Sequence, residues 1–403
     1  MTAALRVLLI EPYCGGSHRA WAEGYARHSR HQVDLLTMPA RFWKWRMEGA
    51  AATLAEEAAR LPERPDVLLV TDMLNLPAFL GLTRRYLGDM PAVLYCHENQ
   101  LTYPFPPGEK RDLTYGLINW LSMLAADRVL FNSHYHQAAW FDELPRLLKH
   151  FPDYTHLHRI AGVQAKSSVL PVGCDLRRFD QVPEERQADA PPLILWNQRW
   201  EYDKDPATFF RALDVLAQEG VAFRVALAGE NVRQEPHEFI AARERLGERV
   251  VHYGHASRQA YAHLLRQADV VVSTAIHEFF GVAIVEAIYC GCFPVLPRRL
   301  SYPELIPAAW QQDCLYDDWE GLLARLRRVL SHPERRRQAT QALRTGAARF
   351  DWNALAPAYD TIMAETLSQV SRQEVPTAAD SRGDRSSGTA GRGRSRRTGG
   401  SGR

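Results

Sequence analysis

From Arg6 the chain alternates short apolar runs with longer segments whose apolar residues recur at helical spacing, the signature of a parallel sheet flanked by helices. In the first half the runs predict strands at residues 6–11, 32–37, 67–71, 92–96 and 128–132, with helices such as 75–86 and 111–126 between them. A second series starts at Leu193 and predicts strands at 193–197, 222–228, 250–253, 270–273 and 293–296, separated by helices including 205–219 and 257–268. The fold class expected is α/β, with residues 1–172 and 193–352 as two Rossmann-like domains. Residues 173–192, rich in Pro, Asp, Glu and Gln, read as a linker. Residues 353–370 read as a last helix, and 371–403 as an Arg/Gly/Ser-rich tail with too little apolar surface to offset its ordering entropy. In open α/β sheets ligands bind beyond the carboxyl ends of the strands, so site residues should follow strands and face a cleft between the domains.

Composition limits the function classes. Of 403 residues 46% are apolar, enough for two cores. Lys and Arg number 49 against 47 Asp and Glu, but residues 381–403 hold seven Arg and one Asp. The end of the chain is therefore +6 and the rest −4, a basic arm on a mildly acidic body. No apolar run approaches the roughly 18–20 residues of a membrane-spanning helix, and no secretion signal is visible. Six scattered cysteines form no C-x-x-C pair, which argues against a disulfide framework or a structural zinc site. The expectation is a cytoplasmic protein.

Four strings carry candidate chemistry. His277-Glu278-Phe279-Phe280-Gly281-Val282 comes after the run at 270–273, and Glu286 stands eight residues beyond Glu278. A helix starting near Gly281 would offer free N–H groups to a phosphate, with Glu278 in the preceding turn and Glu286 about one turn along. For the two glutamates alone, an exposed turn before an amphipathic helix is the better account. Arg199 and Lys204, after the first strand of the second half, offer cations to a departing diphosphate, or form a surface cluster with Glu201 and Asp203. Asp203-Lys204-Asp205 also spells D-x-D, which is treated as chance. Gly15-Gly16-Ser17-His18 would let the backbone approach a ligand after the first strand, or forms a tight turn with no ligand. Arg41-Phe42-Trp43-Lys44-Trp45-Arg46 interleaves aromatic and basic side chains, a composition suited to an RNA base and its phosphates or to a rim over a core edge.

The string around Glu278 and Glu286 resembles the E-x7-E motif of the family 4 retaining glycosyltransferases, and residues 287–295 resemble the segment that succeeds the motif in that family. Residues 11–18, 41–46, 95–103, 199–206 and 274–294 together resemble the glycosyltransferase-like domain-containing family, over about residues 6–367. That resemblance implies a GT-B architecture and transfer of mannose from GDP-mannose to the cyclopentenediol of queuosine at the tRNA wobble position. It implies Glu286 on the nucleotide ribose, Arg199 and Lys204 on the diphosphate and Glu278 on the donor sugar. Phe280, Gly281 and Val282 would line the donor, and His97 with the Gly15-Gly16 turn would close the site from the first domain. Arg41, Trp43, Lys44, Trp45 and Arg46 are the candidate tRNA contacts, and neither metal nor resident cofactor is expected. Phe279 departs from the glycine common after the first glutamate. Competing readings are a hexosyltransferase acting on a lipid or polysaccharide acceptor, and a noncatalytic RNA-binding protein.

Overall fold

The computed structural model describes residues 4–104, 111–183, 186, 190–229 and 236–373. The predicted tail beyond 373 lies outside the described residues. The first half forms strands β1 (Arg6–Cys14), β2 (Gln32–Pro39), β3 (Val67–Thr71), β4 (Ala92–Cys96), β5 (Arg128–Phe131) and β6 (Ser167–Val169), in the order β2-β1-β3-β4-β5-β6. The second half forms β7 (Leu193–Trp196), β8 (Arg224–Ala228), β9 (Val250–Gly254), β10 (Val270–Val272), β11 (Phe293–Pro297) and β12 (Leu315–Tyr316), in the order β12-β11-β10-β7-β8-β9. The paired strands in both sheets run parallel. All five residues of β3 are buried, as expected of a central strand covered on both faces. The switch points lie between β1 and β3 and between β7 and β10, which puts residues 15–18, 72, 197–204 and 273–281 where crevices open.

Three features differ from the sequence reading. The basic aromatic run at 41–46 opens a 16-residue helix, Trp43–Ala58, that the run's composition concealed. The linker's described residues are not a bare spacer: Leu176 and Phe179 are buried, and the Asp351 carboxylate accepts the backbone N–H groups of Leu176 and Arg177. The last helix, Trp352–Gln373, crosses back to the first half. Its Tyr359 hydroxyl accepts from Trp21 at 3.0 Å, and Asp360 accepts from the Tyr25 and Ser29 hydroxyls and the Arg30 N–H.

Candidate active site

The loop after β10 and the turn after β7 are tied together by Thr274, whose hydroxyl donates to the carbonyls of Lys204 and Asp205, and by the Ile276 N–H, which donates to Asp203. This aims Lys204 inward. Its Nζ lies 2.8 Å from the His277 carbonyl, 3.2 Å from Asp203 and 3.4 Å from Glu278. Burial alone would lower the lysine's pKa, but Glu278 and Asp203 outweigh it and the net shift is upward. Glu278 is the mirror case: burial would raise its pKa, yet Lys204, His277 and the Phe280 N–H bring it below the ordinary value. Both groups stay ionised. Glu278 also accepts the N–H groups of Phe279 and Phe280, which fixes its carboxylate in the turn before the helix Val282–Tyr289. Gly281 caps that helix at φ +95°, a left-handed conformation that favours glycine, with Phe280 buried before it.

Arg199 remains largely exposed and pairs with Glu201 at 3.4 Å. Burial would lower its pKa, but Glu201, Tyr103 and Glu98 raise it overall, and the last two belong to the first domain. Arg199 follows β7, at the switch point of the second sheet. The D-x-D carboxylates serve separate tasks, since Asp203 pairs with Lys204 while Asp205 caps the helix Pro206–Gln218 through the Thr208 N–H.

Glu286 is not brought to Glu278's partners. Arg178 donates to one carboxylate oxygen at 2.7 Å and the Tyr261 hydroxyl to the other at 2.9 Å. Burial raises its pKa against the opposing effect of Arg178. Sequence reasoning missed both partners because they come from distant segments with no motif of their own.

His97 follows β4. Its N–H and that of Glu98 donate to the buried Asp72 carboxylate at 3.1 and 3.0 Å, which anchors the turn. Its ring lies 4.3 Å from that of His18, whose Nδ1 is 2.9 Å from Glu11. Burial, then His18 and His136, pushes the His97 pKa well below its ordinary value, so it is neutral. Among the described residues, Glu11, His18 and His97 form a group that could hold a metal ion, with ligand atoms within 4.8 Å of one another. The sequence signals pointed here through His97 and through the glycines of the string 11–18. Gly15 lies so close to Ala40 that a Cβ would come within 2.4 Å of the alanine's Cβ, which sets the turn at 40–46 beside the glycine turn. In the basic aromatic run, Trp43 packs 4.8 Å from Tyr115, Lys44 lies over both rings, and Arg46 donates to the Pro39 carbonyl. Arg41, Phe42 and Trp45 stay exposed. Phe279, whose departure from glycine the sequence flagged, is buried, stacks on His136 at 4.3 Å and accepts the Ser133 hydroxyl at 2.6 Å, linking the domains.

Residues 6–174 match the family described as tRNA-queuosine alpha-mannosyltransferase N-terminal, and residues 178–345 match glycosyl transferases group 1. The tRNA-queuosine alpha-mannosyltransferase of Drosophila melanogaster is 34% identical over 363 residues, covering 88% of this chain and 95% of that protein. The chain belongs to the tRNA-queuosine alpha-mannosyltransferase family. It is a glycosyltransferase with the GT-B architecture the resemblance implied. Among more distant members of the superfamily, a GDP-mannose-dependent phosphatidylinositol dimannoside mannosyltransferase of Mycobacterium tuberculosis is 28% identical, over 85% of this chain and 87% of that one. The catalytic domain of starch synthase IV from Arabidopsis thaliana shares the fold alone, at a TM-score of 0.70 and 11% identity, covering 91% of this chain and 100% of that one. In this chain Glu278, Lys204 and Arg199 lie on the second domain, and His97 with Gly15 and Gly16 on the first.

Proposed function

We propose that this protein transfers mannose from GDP-mannose, with retention, to the cyclopentenediol of queuosine at the wobble position of tRNA. The observation that carries the reading is the 34% identity with the Drosophila enzyme over nearly the full length of both chains, across both domains. The geometry supports it. Arg199 and Lys204 would meet the diphosphate, whose charge grows as the anomeric C–O bond breaks, so fixed cations lower the barrier. Glu278 would hold the donor sugar, and Glu286 the ribose after exchanging a protein contact for it. In a front-face displacement the acceptor oxygen bonds to the anomeric carbon as the diphosphate leaves, and the acceptor proton passes to a phosphate oxygen. In this reading the step needs no divalent ion, because the two cations would supply the positive charge. Cytoplasmic location follows from a tRNA acceptor, and no helix among the described residues is long and apolar enough to cross a membrane.

Purified protein incubated with GDP-mannose and queuosine-containing tRNA should yield mannosylated queuosine by nucleoside mass spectrometry, with turnover unchanged in EDTA. Transfer only to a lipid or glycan acceptor would overturn the acceptor. Loss of activity in chelator, restored by manganese, would overturn the metal-free reading and direct attention to Glu11, His18 and His97.

A further inference from the structure

The helix Trp43–Ala58 carries two large aromatic side chains that the protein itself does not cover. Phe42, immediately before the helix at φ +53°, is 77% exposed, and Trp45 is 60% exposed. Trp45 nevertheless has a seat. A Cβ on Gly49, one turn on, would lie 2.8–2.9 Å from three carbons of the Trp45 ring, so the indole rests on bare backbone that only glycine provides. The ring is supported on one side and open to solvent on the rest. Arg41 and Lys44 are exposed beside it, the run 41–46 contains no acidic residue, and Ala40 touches the Gly15 turn at the cleft.

We propose that Trp45, seated on Gly49, and Phe42 form a base-stacking platform for the anticodon loop of the tRNA, with Arg41 and Lys44 meeting its phosphates. The proposal rests on the functional reading above, and it moves the stacking role from Trp43, which is spent against Tyr115, to Phe42 and Trp45. Unpaired bases stack on any accessible aromatic face, and neighbouring cations neutralise the backbone between them. Gly49 is a positioning residue. It contributes no contact to RNA and acts by letting the indole lie down.

The test compares full-length wild type with Trp45→Ala, Trp45→Phe, Phe42→Ala, Gly49→Ala and the control Trp43→Phe, using a synthetic anticodon stem-loop and anionic vesicles as probes. Trp45→Ala should weaken RNA binding about tenfold, the scale of one stacked base, and Trp45→Phe should recover part of it. Gly49→Ala separates positioning from folding. Alanine favours the helix, so the melting temperature should rise, while the displaced indole weakens RNA binding. The KM for tRNA should rise with the lost affinity in Trp45→Ala, Phe42→Ala and Gly49→Ala. Wild-type RNA affinity in Trp45→Ala and Gly49→Ala, with wild-type mannosylation of tRNA, overturns the platform and leaves the function standing. Vesicle binding that disappears in Trp45→Ala while RNA binding persists makes the patch a membrane contact instead. A wild type that neither binds nor modifies RNA overturns both.

Discussion

The Glu304 carboxylate accepts the backbone N–H of His134 at 2.9 Å and that of Tyr135 at 2.8 Å, so a side chain of the second domain caps a helix of the first, His134–Lys149. Ser133, the same helix's own cap, donates its hydroxyl to Phe279 beside Glu278. Both capping contacts at this helix end thus cross between the domains. Glu304→Ala should cost about 1 kcal/mol, the usual value of a cap, and raise KM for the donor because the domains lose a mutual restraint. Calorimetry and donor titrations would show it. An unaltered melting temperature together with an unaltered KM would mean that the cap does not hold the domains.

Glu278→Gln keeps the size of the side chain and removes its charge. Lys204 retains Asp203 and the His277 carbonyl, so the fold should persist. Turnover should fall about 10²–10³-fold, the range for one lost electrostatic contact at a reacting centre. Circular dichroism with steady-state kinetics separates the two effects, and near-normal turnover would remove Glu278 from the site.

His18 makes stability depend on pH. Burial would lower its pKa, but Glu11, Glu98 and Asp72 outweigh it and raise it from 6.5 to about 9. A raised folded pKa means that the imidazolium stabilises the fold fully below about 6.5, and that this contribution is lost as the pH rises through about 9. The amount is on the order of 3 kcal/mol. Urea midpoints measured from pH 6 to pH 9.5 should fall more steeply for the wild type than for His18→Gln. Parallel profiles would show that no buried charge sits there.

The tail's seven arginines should act on encounter and leave chemistry alone. A chain ended at Gln373 should keep its saturating turnover and donor KM, show a higher KM for tRNA and respond less to salt. Superimposable tRNA titrations of the two forms at low and moderate salt would remove the arm from the account.

Strands were legible because a buried parallel strand is a short apolar run: 67–71 and 92–96 have the same bounds in sequence and structure. Short edge strands left no such signal, and Ser167–Val169 and Leu315–Tyr316 were missed. The helix Trp43–Ala58 was hidden because its first residues are chosen for what they present to solvent. In the site, local strings exposed Glu278, Lys204 and His97. Asp72, which anchors the turn at His97, and Arg178, which binds Glu286, reach the site only from elements far apart in sequence. No linear pattern encodes that distance.

The crossing of Trp352–Gln373 back onto the first half has a consequence in time. Trp21 and Tyr25 receive Tyr359 and Asp360 only after 338 and 335 further residues have been added. Until then the first domain waits with an aromatic surface uncovered, and its last piece is supplied from beyond the second domain. A ribosome that stalls inside the second half would therefore leave two unfinished domains, and the older of them would be the one exposed longest.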